Sequence, residues 1–404
     1  MVIGVSFSSP TRLPPPEGVR SGIPRLGGGG LQSWRGAHYR IKSSAIAVVV
    51  TSASCFSYTL PLGAPLSVGG RTLRERRGAV LRLEGEEGAV GWGEAAPLPG
   101  FSDESLTDAV DALRERAGSL PGTSVPRRIR ALPPPGTTGD PPSVRFALDS
   151  ALLELRAATE DADVPSLLGA EHTTIALNAL VGRAADDLTA TGERLRRDGY
   201  RAVKLKVGKA APERDATRVR ALRRGLGART ALRLDANRAW SFEEALSFAE
   251  ALPGSADVEY VEEPLADPGR LVTFTDRTGL PVALDETTRE RDPSTIPEAL
   301  LLGGVVLKPT LLGGLRRAHR WARWADRRGA SVVLSGAYES GVGTRLLGAL
   351  AAAWSEAPVG LSTYTRLADD LLRPRLALEG PTFEVTPAYR SRVESSLLRP
   401  IDRP

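Results

Sequence analysis

With 404 residues, 41% of them apolar and 25% charged, the chain can bury one large core and a smaller second one, and no run of 18 apolar residues could span a bilayer. A single cysteine, Cys55, excludes an intrachain disulfide and a cysteine metal cluster, which leaves the cytoplasm as the expected compartment. The formal charge of +5 resides in residues 1–50, where Arg12, Arg20, Arg25, Arg35, Arg40 and Lys42 face one acid, Glu17. Beyond them 47 basic residues balance 47 acidic ones, so neither a nucleic acid nor a membrane is an expected partner.

Residues 1–50 are rich in Pro, Gly, Ser and Arg, lack apolar periodicity and read as disordered. An Arg-rich, acid-poor start fits a transit peptide, but AVVV at 47–50 favours translated upstream sequence ahead of a start near Val50. Residues 51–165 read as an α+β domain. A strand, FSYTLPL, is followed by a loop over 63–77 and by AVLRLE, whose alternation and Gly-rich turn before AVGWGE predict an antiparallel hairpin. Helical patterns follow at 103–116 and 143–159, with a Pro-rich loop at 119–142 between them.

From 166 to 365 the rhythm becomes strand, helix, strand. TIALNALVG (174–182), AVKLKVG (202–208), ALRLDAN (231–237), VEYVEEP (258–264), VALDE (282–286), GVVLKPT (304–310), SVVLSG (331–336) and VGLST (359–363) make eight short apolar runs. Helical patterns at 184–198, 212–225, 242–251 and 315–328 fill the gaps, so the expected fold class is α/β, a TIM-type (β/α) barrel rather than an open sheet. Residues 366–404 carry one more strand pattern, PTFEV, and are expected to return to the first domain.

Five consecutive runs end in charge: Lys206, Asp235, Glu262, Asp285 and Lys308, at steps of 29, 27, 23 and 23 residues, each about one strand–helix unit. In such barrels the active site lies beyond the strands' carboxyl ends. Three carboxylates there would repel one another unless a hard divalent cation sat among them, and an all-oxygen set suits Mg²⁺ or Mn²⁺. Only five of the 53 basic residues are lysine (Lys42, Lys204, Lys206, Lys209, Lys308), so the chain uses Arg wherever charge alone suffices. An Arg stays protonated, whereas a desolvated Lys beside another cation can lose its proton and act as a base. The lysines at strand ends therefore point to proton transfer.

KLK at 204–206, LDAN at 234–237, VEEP at 261–264, LDE at 284–286 and LKPTLLGG at 307–314, with GWGEAAPLPGFSDES and SGAYESGVG, resemble the muconate-lactonising subgroup of the enolase superfamily. Within that subgroup they resemble the o-succinylbenzoate synthase family, over roughly residues 55–385. The resemblance implies a capping domain over the barrel and a small-molecule carboxylate substrate. It also implies Mg²⁺ on Asp235, Glu262 and Asp285, Lys206 as the base, Lys308 on the opposite face and Lys204 beside Lys206. The implied reaction is a dehydration forming o-succinylbenzoate in menaquinone biosynthesis. Two alternatives stand beside it: an N-succinylamino acid racemase or other racemase or epimerase, and a non-catalytic barrel that binds a carboxylate. GLSTYT lacks the Asp-x-Asp of dipeptide epimerases, and the oligomeric state is left open.

Other polar residues are weaker candidates. Glu263 and Glu286 follow proposed ligands and, by strand alternation, are expected to face away from the site. Asn237 would either polarise the surroundings of Asp235 or cap the next helix, and Asn178 is equally ambiguous at the expected end of the first barrel strand. Asn237, Gly313, Gly314, Ser335 and Gly336 are expected to contact substrate, with Gly336 and Tyr338 departing from the family pattern. Glu339 reads as a loop anchor. His38, His172 and His319 lie away from the strand ends. The loop at 63–77, with Gly69, Gly70, Arg71, Arg74, Arg76 and Arg77, reads either as a mobile cationic lid or as a surface loop whose arginines are simply solvated.

Overall fold

The computed structural model describes residues 48–125, 132, 139–182, 187–252 and 257–402. The expectations for residues 1–47, for half of the Pro-rich loop and for the start of the helix at 184–198 lie outside these. The packed core includes residues before 51. Val48 and Val50 are buried in an apolar core, and Val50 N–H donates to the Thr123 carbonyl at 3.0 Å.

β1 (Ser52–Val68) and β2 (Arg71–Glu84) form one long antiparallel hairpin, and β3 (Val90–Ala95) pairs with the other edge of β2. α1 (Leu106–Ser119), which starts on a reciprocal Ser105–Asp108 capping box, and α2 (Pro142–Thr159) pack on this sheet. The glycines of the GWG motif have a packing reason: a Cβ at Gly91 or Gly93 would run into the backbone of α2 at Ala151 or Ala147.

The stretch at 63–77 is a correction. It is the distal arm of the β1–β2 hairpin, with Val68 opposite Arg71 and only Gly69 and Gly70 left for the turn, both at positive φ. Arg76 is buried and donates to the carbonyls of Ala96, Pro97 and Tyr338 at 3.0–3.1 Å. A guanidinium with three carbonyl partners is a clamp, whereas Arg71, Arg74 and Arg77 remain exposed.

α3 (Val164–Leu167) and β4 (Thr174–Ala176) lead into the barrel. There follow β5 (Asn178–Val181), α4 (Leu188–Arg197), β6 (Ala202–Lys206), α5 (Pro212–Leu226), β7 (Ala231–Asp235), α6 (Phe242–Ala251), β8 (Val258–Glu262) and α7 (Leu271–Thr278). The second half is β9 (Val282–Leu284), α8 (Glu286–Glu290), β10 (Leu302–Leu307), α9 (Pro309–Leu312), α10 (Leu315–Arg327), β11 (Ser331–Leu334) and α11 (Gly341–Trp354). β5 to β11 form one parallel sheet in sequence order. The eighth expected strand is reduced to two bridging residues: Val359 accepts from Asn178 N–H (2.9 Å), and Gly360 N–H donates to Leu334 (2.8 Å). The ring is thereby closed between β11 and β5.

The tail adds three short pairings. β12 (Leu372–Arg373) pairs with β14 (Arg392–Val393), β13 (Thr382–Glu384) with β4, and β15 (Arg399–Pro400) with β1 of the first sheet. No helix among the described residues is long and apolar enough to cross a membrane.

Candidate active site

Parallel register aligns the charged strand ends. Lys206 lies opposite Asp235, Asp235 opposite Glu262, and Glu262 opposite Ala283, two residues before Asp285. Strand order therefore puts Lys206 on one flank, Lys308 on the other and three carboxylates between them. Asp235, Glu262 and Asp285 are 1%, 0% and 2% exposed. Lys204 Nζ sits 3.0 and 3.2 Å from the two Glu262 oxygens and 3.2 Å from Asp235 Oδ2. Lys206 Nζ lies 2.7 Å from Asp235 Oδ2 and donates to Asn237 Oδ1 at 2.6 Å, while Lys308 pairs with Asp285.

Burial alone would raise the Asp235 carboxyl, but Lys204 and Lys206 hold it far below the ordinary range. Glu262 moves the other way, pushed up to about 8 first by burial and then by the charge of Asp235, with Asp285 adding to it. Lys204 and Lys308 are buried amines that burial by itself would depress; the carboxylates around them hold both above the ordinary lysine value. Glu286 belongs to the same cluster. Its carboxyl is raised to about 7 by burial and then by Asp285, and its Oε2 is buried without a partner. Four acids thus share the cluster with three lysines. The orphaned oxygen and the all-oxygen donors fit a hard divalent cation. Among the described residues no three acid, His or Cys side chains are gathered about one point. Each carboxylate leans on a lysine instead, which relieves the mutual repulsion.

The structure also places Glu286, which alternation puts off the site, and Asn237 and Asn178, whose roles the sequence leaves ambiguous. Glu286 was expected off the site, yet β9 ends at Leu284 and Asp285 caps α8, so period-2 alternation stops before Glu286. It accepts from Asn237 Nδ2 at 3.4 Å. Asn237 does not cap α6, because Ser241 and Glu244 form that cap; its N–H donates to Asp235 Oδ1 at 3.2 Å and its side chain holds Lys206. Asn178 stands at the start of β5, opposite Ala202, at the other end of the barrel, where its Oδ1 is 3.5 Å from Arg233 Nη1.

Of the expected substrate contacts, Gly313 and Gly314 are corrected. Both amides donate to the Pro309 carbonyl, so neither is available to a substrate carboxylate. Gly314 has φ +96, and a Cβ there would strike Asp149 of α2, whose Oδ2 also accepts from Leu315 N–H at 2.8 Å. Gly314 lets the first domain dock, whereas Gly313, at φ +85, ends α9. Ser335 Oγ donates to the Gly360 carbonyl at 3.3 Å and Gly336 N–H donates to it at 2.9 Å, so both close the ring. Glu339 is buried, accepts from Thr310 Oγ1 (2.7 Å) and Ala337 N–H (2.6 Å), and anchors its loop. Tyr338, at φ +64, packs with Val68, Leu73, Leu98, Phe101 and Leu311, so the hairpin arm meets the barrel beside the site. His319 packs on Trp354, and His172 is exposed.

Comparison with known proteins agrees with this geometry. Residues 187–388 match the family model described as enolase C-terminal domain-like, and residues 50–155 match that of the MenC N-terminal domain. The chain is 32% identical over 307 residues to an o-succinylbenzoate synthase of Vibrio cholerae, covering 74% of this chain and 85% of that protein. It is 34% identical over 297 residues to the protein PHYLLO, chloroplastic, of Arabidopsis thaliana; this spans 66% of the chain but only 17% of that much longer protein. In structure it resembles a dipeptide epimerase from Enterococcus faecalis complexed with Mg and L-Leu-L-Tyr. The TM-score is 0.72 at 20% identity, with 88% of this chain and all of that one covered, a likeness of fold. The barrel with its capping domain is thus the enolase-superfamily fold, and the chain belongs to the o-succinylbenzoate synthase family of that superfamily, as an enzyme of the hydro-lyase class.

Proposed function

We propose that the protein dehydrates 2-succinyl-6-hydroxy-2,4-cyclohexadiene-1-carboxylate to o-succinylbenzoate in menaquinone biosynthesis. The observation that carries this reading is the arc of strand ends, two lysines flanking three buried carboxylates. Asp235, Glu262 and Asp285 would hold Mg²⁺, which when bound supplies positive charge to the oxygens of the substrate carboxylate. In this reading residues 51–165 cap a barrel of residues 166–365.

Lys206 is the base of choice over Lys204. Its side chain is 28% exposed against 13%, and it lies two residues further toward the open end of β6. A neutral Lys206 Nζ takes the proton on the carbon next to the carboxylate, and that bonding pair becomes an enediolate of the substrate. The pair then re-forms a ring double bond as the neighbouring C–O bond breaks, and the Lys206 ammonium returns its proton to the departing hydroxyl. Water and the aromatic product result, and Lys206 ends as it began. Lys308, on the opposite flank, remains cationic and stabilises the enediolate. Asn237 Oδ1 orients the Lys206 amine.

The test is turnover of the cyclohexadiene substrate before and after metal removal by EDTA. Activity restored by Mg²⁺ is the expected result, and full activity in the metal-free protein would overturn it.

The two-lysine arc also favours a second reading, racemisation of N-succinylamino acids, which requires proton transfer on both faces. Dipeptides fit less well, because Asp369 pairs with Arg373 and Asp370 accepts from Gly341 N–H and Tyr364 O–H. Incorporation of deuterium at the α-carbon of an N-succinylamino acid in D₂O would support racemisation, and its absence would leave dehydration alone.

A further inference from the structure

Behind the three carboxylates lies a second set of charges that no step above uses. Glu263 follows Glu262 directly and is 0% exposed. Its Oε1 accepts from the backbone N–H of Asp285 (3.0 Å) and of Thr287 (2.7 Å), and its Oε2 accepts from Thr287 Oγ1 (3.1 Å) and Arg238 Nε (3.0 Å). Four donors are a full complement for one carboxylate. Arg238 extends the network, donating from Nη2 to Thr287 Oγ1 (3.0 Å) and to Glu290 (2.8 Å), while its N–H donates to the Glu263 carbonyl (2.7 Å). Asn237, Arg238 and Glu263 all have positive φ, at +46°, +57° and +40°. Residues with side chains rarely adopt that conformation, and it persists where the surroundings over-determine it.

On the β10 side the sheet reaches Leu284, opposite Val305, but on the side of Glu262 it stops short of the third carboxylate. The ladder between β8 and β9 ends at the pair Glu262↔Ala283, and Asp285 lies two residues beyond it. Its backbone is held relative to Glu262 by the Glu263 side chain instead, and Arg238 ties the loop of Asp235 to both. We infer that Glu263 and Arg238 are a positioning pair for the cation site, holding the loops after β7, β8 and β9 so that Asp235, Glu262 and Asp285 can turn from their lysines toward one ion. The inference rests on the divalent-cation reading above.

The test is calorimetric titration of MgCl₂ into the metal-free full chain, with metal-free melting measured in parallel. Wild type is compared with Glu263→Gln, Arg238→Lys and Thr287→Val, and with Asp285→Asn as the reference for a lost ligand. Gln at 263 places an NH₂ where two donors already point, and Lys at 238 cannot reproduce the guanidinium fork. Partners one step behind a metal ligand are worth roughly 10–100-fold in metal affinity, so both variants should weaken Mg²⁺ by that factor and Thr287→Val by less. A merely structural pair would lower the metal-free melting temperature and leave the affinity of the folded protein unchanged, and that result would overturn the inference. If Glu263→Gln does not fold, Arg238→Lys and Thr287→Val decide, since wild-type affinity in both overturns it equally. No Mg²⁺ binding by wild type while Asp285→Asn behaves identically would instead sink the cation reading itself.

Discussion

Lys206 has two partners, Asp235 and Asn237, and the proposed chemistry asks it to take up a proton and return it. Lys206→Ala removes the amine and Lys206→Arg installs a group that stays charged, so both variants should lose at least about 10²–10⁴-fold in kcat. Neither variant removes a carboxylate, so Mg²⁺ affinity by calorimetry should rise in Lys206→Ala, where competition for Asp235 disappears, and hold in Lys206→Arg. Equal losses of kcat and metal affinity would make Lys206 part of the binding frame instead. Lys204 differs in kind: buried, bonded to both Glu262 oxygens and held above its ordinary value, it compensates charge.

At the level of elements, the informative contact is the docking of α2 against the turn between α9 and α10. Gly314 accepts the close approach of Asp149 and Arg145 in a backbone conformation that favours glycine. Gly314→Ala should therefore destabilise the protein by about 2 kcal/mol or more, read as a lower urea midpoint, with Mg²⁺ affinity unchanged. Unchanged stability with a raised KM would return Gly314 to the role of substrate contact. The β1–β2 hairpin follows similar logic. Arg76 clamps it to the loop at 96–97 and to Tyr338, so its arm is a fixed wall near the site.

Across the whole molecule, the two domains are joined by a buried ion pair. Arg345 of α11 donates from Nε and Nη2 to the two oxygens of Glu154 of α2 at 2.8 and 2.6 Å, and Glu154 also accepts from Trp92 N–H. Removing one partner strands the other charge, so Arg345→Met should cost about 3–5 kcal/mol, and the double replacement with Glu154→Leu should recover much of it. Urea unfolding of both variants checks this, and full additivity would mean that the pair is not coupled. The sequence by itself determined the barrel class and the order Lys, Asp, Glu, Asp, Lys along its mouth. Parallel strands buried on both faces read as short apolar runs, and charge at their ends falls where such sheets bind ligands. Tertiary structure alone decided the surroundings of those charges. Glu286 joins the cluster because β9 stops at Leu284, and Glu263 turns to Asp285 because its backbone enters the left-handed region. Gly314 serves packing because α2, more than 150 residues earlier, lies against it. Strand period and helix period carry no record of where a strand ends by contact or which distant side chain fills a gap, since those depend on residues brought together only by folding.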